Sequence, residues 1–179
     1  FLGTGKSSEA DSHMVVDAAL SLALDLNRQS RFYVSPMRGS GNPTGADNVV
    51  TWQTGYPFGV NLGRGFPRFN PGEFSAEEVL GRGEADAALV LAADPMADLA
   101  PAAREHLSRI PVVALDYRET ETTRLAEVAF TVAHYGTSTE GTVYRMDDVS
   151  LPLRPAIHSP FPTAEVVLDG IAGVIGAMR

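Results

Sequence analysis

The sequence predicts an α/β fold, a doubly wound, mainly parallel sheet of the Rossmann-like kind. Two apolar runs of strand length carry this prediction, ADAALVLA at 85–92 and IPVVAL at 110–115, with helix-like residues 101–107 between them. Strands that are apolar on both faces are typical of a parallel sheet covered on both sides, and the helical connection predicts a right-handed crossover. With 179 residues, 44% of them hydrophobic, the chain can bury one substantial core, and we expect a single α/β domain over 1–179.

The other elements follow from periodicity and capping signals. Apolar residues recur at helical spacing from Val15 to Leu26, which predicts a helix ending near Asn27 and capped by Asp11 or Ser12. Residues 36–74 are rich in Gly, Pro and Asn and are expected to be mainly irregular, which is uncommon unless such a loop has a function. The remaining predictions are a strand at 32–34, a brief helix begun by a capping box at 75–78 and closed by Gly81 and Gly83, a strand at 128–133, and a helix at 163–178 capped by Thr163.

Charge and hydropathy limit the partners. The net charge is −8 and Lys and Arg occur without runs, which argues against a nucleic-acid backbone or an anionic membrane as a partner. We find neither an apolar stretch of about 18 residues nor a charged-then-apolar leader, so the sequence predicts a cytoplasmic protein.

Metal and nucleophile chemistry have little support in the residue inventory. Cysteine is absent, which removes thiolate ligands and cysteine nucleophiles from this sequence. The four histidines stand apart from one another and from clustered carboxylates, so we predict no metal site and no catalytic residue. They are His13, His106, His134 and His158.

The segment GTGKSS at 3–8 leaves two interpretations open. It is similar to the end of a phosphate-binding P-loop, and Asp94 follows an apolar strand as the magnesium-binding acid of such enzymes does. The glycine that should stand five residues before Gly5 is missing, so a plain strand-to-helix turn explains the segment equally well. In that turn, Lys6 could still meet an anion at the helix N-terminus.

The candidate ligand-binding residues follow predicted strands. Ligands of doubly wound sheets bind outside the carboxyl ends of the strands, where this sequence places glycines, acids and Arg38. Arg38 can form forked hydrogen bonds with phosphate or carboxylate, although a solvated turn is an equally good reading of its loop. Arg64 and Arg68 lie among aromatics and prolines, a composition more typical of a rigid interface or a cavity wall than of a catalytic loop. The candidate residues at the edge are Arg38, Gly39, Asn42, Asp94, Asp116, Glu119 and Thr120, and the further candidates in glycine-containing loops are Gly45, Glu140, Gly141 and Thr142.

Several stretches together resemble one known family. They are PMRGSGNPTGADNVVTWQTGYPFGVNLGRGFPRFNPGE (36–73), DAALVLAADP (86–95), IPVVALD (110–116), ETETTRLAEVAF (119–130) and TEGTVYRMDDVSLPLRPAI (139–157). In this order they resemble the B subunit of formylmethanofuran dehydrogenase, which belongs with the molybdopterin oxidoreductases. The resemblance implies a truncated molybdopterin oxidoreductase domain, the retained or ordered part of a longer ancestral subunit.

The resemblance also implies what has been lost. In that family a tungsten or molybdenum pterin is held between this kind of domain and an upstream portion with a cysteine ligand and an iron–sulfur cluster. This sequence has no cysteine, and Ser40 stands where the family usually has a histidine. We therefore expect no cofactor in this chain, and the candidate residues at the edge and in the loops become remnants of a pterin site. Lys6, Arg38, Arg64 and Arg68 remain as possible anion contacts.

Among relatives, the sequence is most similar to the non-redox B subunit of the formyltransferase/hydrolase complex of methylotrophic bacteria. That complex moves a formyl group between a methanofuran-type carrier and tetrahydromethanopterin and releases formate. The resemblance implies a structural subunit with three partners: an amidohydrolase-like A subunit that carries metals, a C subunit and a formyltransferase D subunit. Direct contact with the carrier is a further expectation. Two alternatives stay open, a cofactor-clamping fragment of a tungsten or molybdenum formylmethanofuran dehydrogenase and a P-loop NTP hydrolase.

Overall fold

The computed structural model describes residues 12–35, 41–145 and 147–178. Its internal contacts divide the chain into two compact units, Phe1–Gly39 and Ser40–Arg179, and each is described by itself. Along the chain the elements are α1 (Ser12–Asn27), α2 (Pro43–Thr54), β1 (Val60–Asn61), β2 (Arg68–Phe69), α3 (Pro71–Phe74), α4 (Ala76–Gly81), β3 (Ala88–Leu91), α5 (Pro95–Asp98), α6 (Pro101–Leu107), β4 (Val112–Asp116), α7 (Glu121–Leu125), β5 (Val128–Thr131), β6 (Gly141–Tyr144), β7 (Ser150–Leu153) and α8 (Ala164–Ala177).

The first unit contains the predicted helix but not the predicted strand. Helix α1 ends at Asn27, as the periodicity indicates, while the proposed cap Asp11 lies outside the described residues. The strand predicted at 32–34 is wrong. The Asn27 side chain donates from Nδ2 to the carbonyl oxygens of Ala23 (2.8 Å) and Phe32 (2.9 Å), and Phe32 N donates back to Asn27 Oδ1 (3.0 Å). The backbone of Phe32 therefore closes the end of the helix instead of joining a sheet.

The second unit is built around a three-stranded parallel sheet in the order β3-β4-β5. Ala88 pairs with Val112 and Leu91 with Leu115, while Val113 pairs with Val128 and Asp116 with Thr131. The strands predicted at 85–92, 110–115 and 128–133 and the helix at 101–107 are all present. The prediction of an α/β fold on a parallel sheet is confirmed.

A cluster of buried residues lies on one face of this sheet, while Leu115 of β4, 0% exposed, is buried on the other. Leu80 of α4 and Ala103 and Leu107 of α6 pack with Val112 of β4, and the partly buried Val90 of β3 joins them. The alternate residues of β3 point to the opposite face, and in the described part of the chain Leu89 and Leu91 are about half exposed there. Burial of apolar area between the helices and the first face stabilises the sheet by about 25 cal/mol per Å².

The stretch 36–74, expected to be irregular, contains regular structure where it is described. Helix α2 spans twelve of its residues, and β1 and β2 form an antiparallel hairpin in which Val60 pairs with Phe69. The signal for α2 is Pro43, which stands at the start of the helix, where its missing N–H costs nothing. Helix α4 begins after Ser75 as predicted, but the Ser75 side chain makes no capping hydrogen bond, so the capping box is absent.

Beyond the sheet, β6 and β7 pair antiparallel, and α8 begins with Val166 N donating to Thr163 Oγ1 at 3.4 Å, which confirms the predicted cap. Within the described ranges, every helix is too short or too polar to cross a bilayer.

Candidate functional site

A first polar cluster, the Asp94 cluster, lies where the chain leaves β3 and consists of Asp94, Met96, Glu121 and Thr122. Asp94 Oδ1 accepts hydrogen bonds from Thr122 Oγ1 (2.6 Å) and Thr122 N (3.0 Å), and Oδ2 accepts from Glu121 N (3.3 Å). Thr122 Oγ1 in turn accepts from Met96 N at 3.1 Å, and the Thr122 side chain is fully buried. The carboxylate therefore joins the first turn of α7 to the start of α5.

The hydrogen bonds of this cluster favour the ionised carboxylate. Burial opposes ionisation, but the hydrogen bonds from the Thr122 hydroxyl and from the backbone N–H groups of Thr122, Glu121 and Ala97 outweigh it. The pKa of Asp94 is therefore held below its usual value. A negative charge there also suits the N-terminal end of a helix.

The residues after β4 form the rest of this edge. Asp116 is 5% exposed, and its Oδ1 accepts from Arg118 N at 3.2 Å. Thr120 begins α7 with a reciprocal pair of bonds: Thr123 N donates to Thr120 Oγ1 (3.1 Å), and Thr120 N donates to Thr123 Oγ1 (2.7 Å). Helix capping therefore explains the hydroxyl groups of this stretch. Glu119 pairs with Arg124 at the surface.

A depression of about 310 Å³ opens beside these residues. Two arginines, two acids and two threonine hydroxyls give it a polar wall, while Phe130 supplies an apolar one. This mixture suits a polar organic molecule better than an isolated ion, because donors, acceptors and a flat apolar surface are all present. The lining residues are Asp116, Arg118, Glu119, Thr123, Arg124, Ala129, Phe130 and Thr131.

A second polar cluster, the Asn42 cluster, consists of Asn42, Tyr135, Thr142 and Tyr144. Asn42 Nδ2 donates to Thr142 O (3.0 Å) and to Tyr135 Oη (3.2 Å), and Asn42 Oδ1 accepts from Tyr144 N (2.8 Å). Tyr135 Oη also donates to Thr142 O at 2.5 Å. One amide side chain thereby ties the start of α2 to strand β6.

Two glycines leave room for this arrangement. A Cβ on Gly45, which is buried in α2, would stand 2.4 Å from Asn42 Nδ2, and a Cβ on Gly141 would stand 3.3 Å from the Tyr135 ring. Asn42 itself adopts the left-handed conformation (φ 59°, ψ 47°), which asparagine tolerates better than most residues. The glycines and the asparagine of the predicted site thus have a structural explanation.

A ring contact joins the end of β4 to the residue that precedes Tyr135. Tyr117 follows the last residue of β4, and its ring centroid lies 4.0 Å from that of His134, the neighbour of Tyr135. His134 Nδ1 is hydrogen-bonded to Thr137 Oγ1 at 2.6 Å. Neither Thr122 nor Tyr135 stands in a recognisable motif. For Thr122 the one usable signal is its place in the first turn of a capped helix.

The other predicted residues lie elsewhere. Lys6, Arg38 and Gly39 lie outside the described residues, as does the whole GTGKSS segment, and those hypotheses stay predictions. Glu140 is exposed beside Gly141, and Arg64 and Arg68 belong to the β1–β2 hairpin. The expectation that Asn42 follows a strand is wrong, because residues 32–34 form none.

The parallel sheet and its polar carboxyl edge define an α/β domain of the kind that binds ligands or partners beyond its strand ends. No protein-family model matches the chain. It is 44% identical over 160 residues to the B subunit of the tungsten-containing formylmethanofuran dehydrogenase 2 of Methanocaldococcus jannaschii and 38% identical over 160 residues to that of Methanococcus maripaludis. Each match covers 89% of this chain and 37% of the relative's length.

Among solved structures, the chain is similar to one from the formyltransferase/hydrolase complex of Methylorubrum extorquens, crystallised with methylofuran. The TM-score is 0.69 at 24% identity, over 88% of this chain and 46% of that chain. Over most of its length the chain is similar to the B subunits of formylmethanofuran dehydrogenase. It spans little more than a third of the curated relatives, so their activities are those of longer proteins.

The name of these relatives implies a tungsten cofactor, and the residues present can be tested against it. A metal thiolate requires sulfur, and the sequence contains no cysteine. Across the ranges that the structure describes, no three His, Asp or Glu residues converge as metal ligands would. The donor atoms of the described residues therefore do not fit the metal.

Proposed function

We propose that the chain acts as a non-catalytic, structural subunit of a formyltransferase/hydrolase complex in methylotrophic one-carbon metabolism. In this proposal its partners are an amidohydrolase-like A subunit, a C subunit and a formyltransferase D subunit, which carry out formyl transfer and formate release. The chain keeps a Rossmann-like sheet inherited from a molybdopterin oxidoreductase. It packs against the other subunits in the cytoplasm, within a complex that binds a methanofuran-type carrier.

One observation carries the proposal: the polar side chains at the centre of the Asp94 and Asn42 clusters are engaged in holding the chain together. Asp94 accepts three hydrogen bonds from α7, and Asn42 makes three with Tyr135 and β6. A catalytic carboxylate or a ligand-binding amide would present free atoms to a substrate. These side chains instead have the partners expected of a scaffold.

The comparisons support the same assignment in two ways. The fold is shared with a chain of a complex crystallised with methylofuran, and the sequence is similar to the B subunits over most of its length. The lack of cysteine in the sequence agrees with a relative of those subunits that performs no redox chemistry.

A second candidate is the cofactor-clamping portion of a tungsten or molybdenum formylmethanofuran dehydrogenase. A specific observation favours it, because the identity to the tungsten-containing B subunits reaches 44%, against 24% to the solved chain. In this candidate the depression beside Asp116 would receive an organic part of the cofactor, and the metal ligands would come from other residues than these.

One experiment separates the two candidates. The protein is purified with its natural partners from the organism that encodes it, tungsten and molybdenum are quantified by mass spectrometry, and every polypeptide is identified. The structural-subunit proposal expects an amidohydrolase-like and a formyltransferase-like chain, with far less than one tungsten or molybdenum per copy. A stoichiometric metal pterin held by the polypeptide that contains this sequence would overturn it and establish the second candidate.

A further inference from the structure

The tip of the β1–β2 hairpin, residues 62–67 (LGRGFP), projects apolar and cationic side chains together. Leu62 is 58% exposed, Phe66 is 53% exposed, and Arg64 lies exposed between them. Single exposed apolar residues are common on protein surfaces. Two of them around an arginine in one six-residue connection form the composition that protein interfaces favour, because arginine and aromatic residues are enriched there.

The base of the hairpin is rigid. Phe69 of β2 stacks on Tyr56 with ring centroids 5.1 Å apart and an interplanar angle of 8°, and Phe58 meets Phe69 edge to face at 5.6 Å. The guanidinium carbon of Arg68 lies 4.7 Å from the centroid of the Phe74 ring. These aromatic contacts fix the hairpin on the rest of the second unit.

The tip itself is also held in one conformation. Asn61 Oδ1 accepts from Gly63 N (2.9 Å) and from Arg68 Nη2 (3.0 Å), and Gly65 N donates to Leu62 O (2.9 Å). Gly65 adopts φ 81°, which favours glycine. A tip ordered before binding loses little conformational entropy on association, so more of its contact energy appears as affinity.

The positive charge of the tip indicates the chemistry of the surface that it contacts. Some exposed arginines pair with an acid of this chain, as Arg109 does with Glu105 and Arg145 with Asp147, while others, such as Arg31 and Arg154, do not pair with an acid in the described part of the chain. Within the described ranges Arg64 makes no such ion pair, although the chain has a net charge of −8. Its guanidinium is left to face a carboxylate of another molecule, with Leu62 and Phe66 beside it.

We propose that the 62–67 tip docks into an apolar pocket with an acidic rim on a partner subunit. Phe66 and Leu62 fill the pocket, and Arg64 donates to a carboxylate at its edge. The docking rests on the proposed function in one respect, because it requires a heteromeric assembly. Both candidate complexes are heteromeric, so the docking is compatible with either.

Cysteine substitution tests the burial of the tip. Because the sequence lacks cysteine, Phe66→Cys can be followed by mass spectrometry of the tip peptide, with Glu77→Cys on the exposed side of α4 as the control. Each variant is expressed in the native host, purified in its assembly and treated with a maleimide. We expect Phe66→Cys to react at least about tenfold more slowly than Glu77→Cys in the assembly and at a similar rate after dissociation.

Charge reversal tests the acidic rim. Arg64→Glu and the control Arg109→Glu alter the net charge equally, so a general charge effect would act on both. On dilution of the purified assembly, followed by mass photometry, Arg64→Glu should raise the dissociation midpoint at least about tenfold, whereas Arg109→Glu should leave it within about twofold.

The outcomes separate this inference from the proposed function. If the partners are not formyl-group subunits but Phe66 is protected, the proposed function fails and the docking stands. If they are such subunits and Phe66→Cys reacts as fast as Glu77→Cys, or if both charge reversals act equally, the docking is wrong. A purified protein that is a monomer or a dimer of identical chains would contradict both.

Discussion

The Asp94 cluster and the Asn42 cluster both connect separate segments of the chain, but the segments they connect are separated by different numbers of residues. Asp94 joins residues 28 positions apart, within one strand-helix-strand segment of the sheet. Asn42 joins residues 93 to 102 positions apart and connects a helix to a separate hairpin. The first cluster is charged and centred on a fully buried hydroxyl, and the second is neutral and half-exposed. The connection between residues nearer in sequence thus uses a carboxylate bound to a buried hydroxyl, and the connection between more distant residues uses an amide that water can partly replace.

This difference predicts unequal costs when each cluster is broken. A buried donor left without an acceptor loses its hydrogen bond and gains no water in exchange. A half-exposed amide or backbone group can turn to solvent and recover part of the loss. We therefore expect changes at Thr122 to cost more than changes at the Asn42 cluster.

The largest effect is expected for Thr122→Val, which keeps the shape of the side chain and removes its hydroxyl. Met96 N would lose its acceptor and the Asp94 carboxylate its shortest hydrogen bond. We expect the free energy of unfolding to fall by about 2 to 3 kcal/mol, measured by urea denaturation.

Thr131→Val is the matched control for that change. Thr131 ends β5 and is exposed, and the side-chain hydrogen bonds of the described residues do not include it. The same substitution there should change the free energy of unfolding by less than about 0.5 kcal/mol. Equal losses at both positions would show that the buried hydroxyl has no special role.

A smaller change in the free energy of unfolding is expected for Gly45→Ala in α2, and its sign shows whether the Asn42 amide can move aside. Alanine normally stabilises a helix relative to glycine, but here the new Cβ would displace the Asn42 amide. We expect a net loss of about 1 to 2 kcal/mol. Gly170→Ala in α8, where nothing lies within 4 Å of the added Cβ, should instead stabilise the chain by up to about 1 kcal/mol. Stabilisation by both substitutions in thermal unfolding would mean that Asn42 has room to move.

The two clusters also differ in how far the sequence reveals them. Apolar runs of strand length predicted β3 and β4, because these are local patterns that the sequence shows directly. Asp94 and Asn42 were singled out as ligand-binding residues since acids and amides beyond strands are common at ligand sites. Their actual partners are set by tertiary contacts, which local spacing does not encode.

The errors each have a physical origin. The sequence favoured a strand at 32–34 from three β-prone residues, but the Asn27 side chain competes for the backbone of Phe32. The helix within 36–74 was missed because glycine and threonine weaken its periodicity, while Pro43 and a left-handed Asn42 define its start. Competition between side chain and backbone therefore accounts for the missing strand, and a helix start that lacks a side-chain cap accounts for the missed helix.

The third prediction uses the charge that distinguishes the clusters. Because the folded-state pKa of Asp94 lies below its usual value of 3.8, its contribution to stability is complete above that pH and is lost as the pH falls through the folded-state pKa. The stability difference between the wild type and Asp94→Asn should be constant from neutral pH down to about 4.5 and should shrink below it. This pH-dependent part should be smaller than the effects of the first two substitutions, since Asp94 is half-exposed and partly screened. Asp98→Asn removes an exposed acid of the same helix α5 and serves as the control for the loss of one negative charge. Urea denaturation at pH 3 to 7 measures both, and a flat profile for Asp94→Asn would show that the carboxylate gains nothing from its bonds to α7.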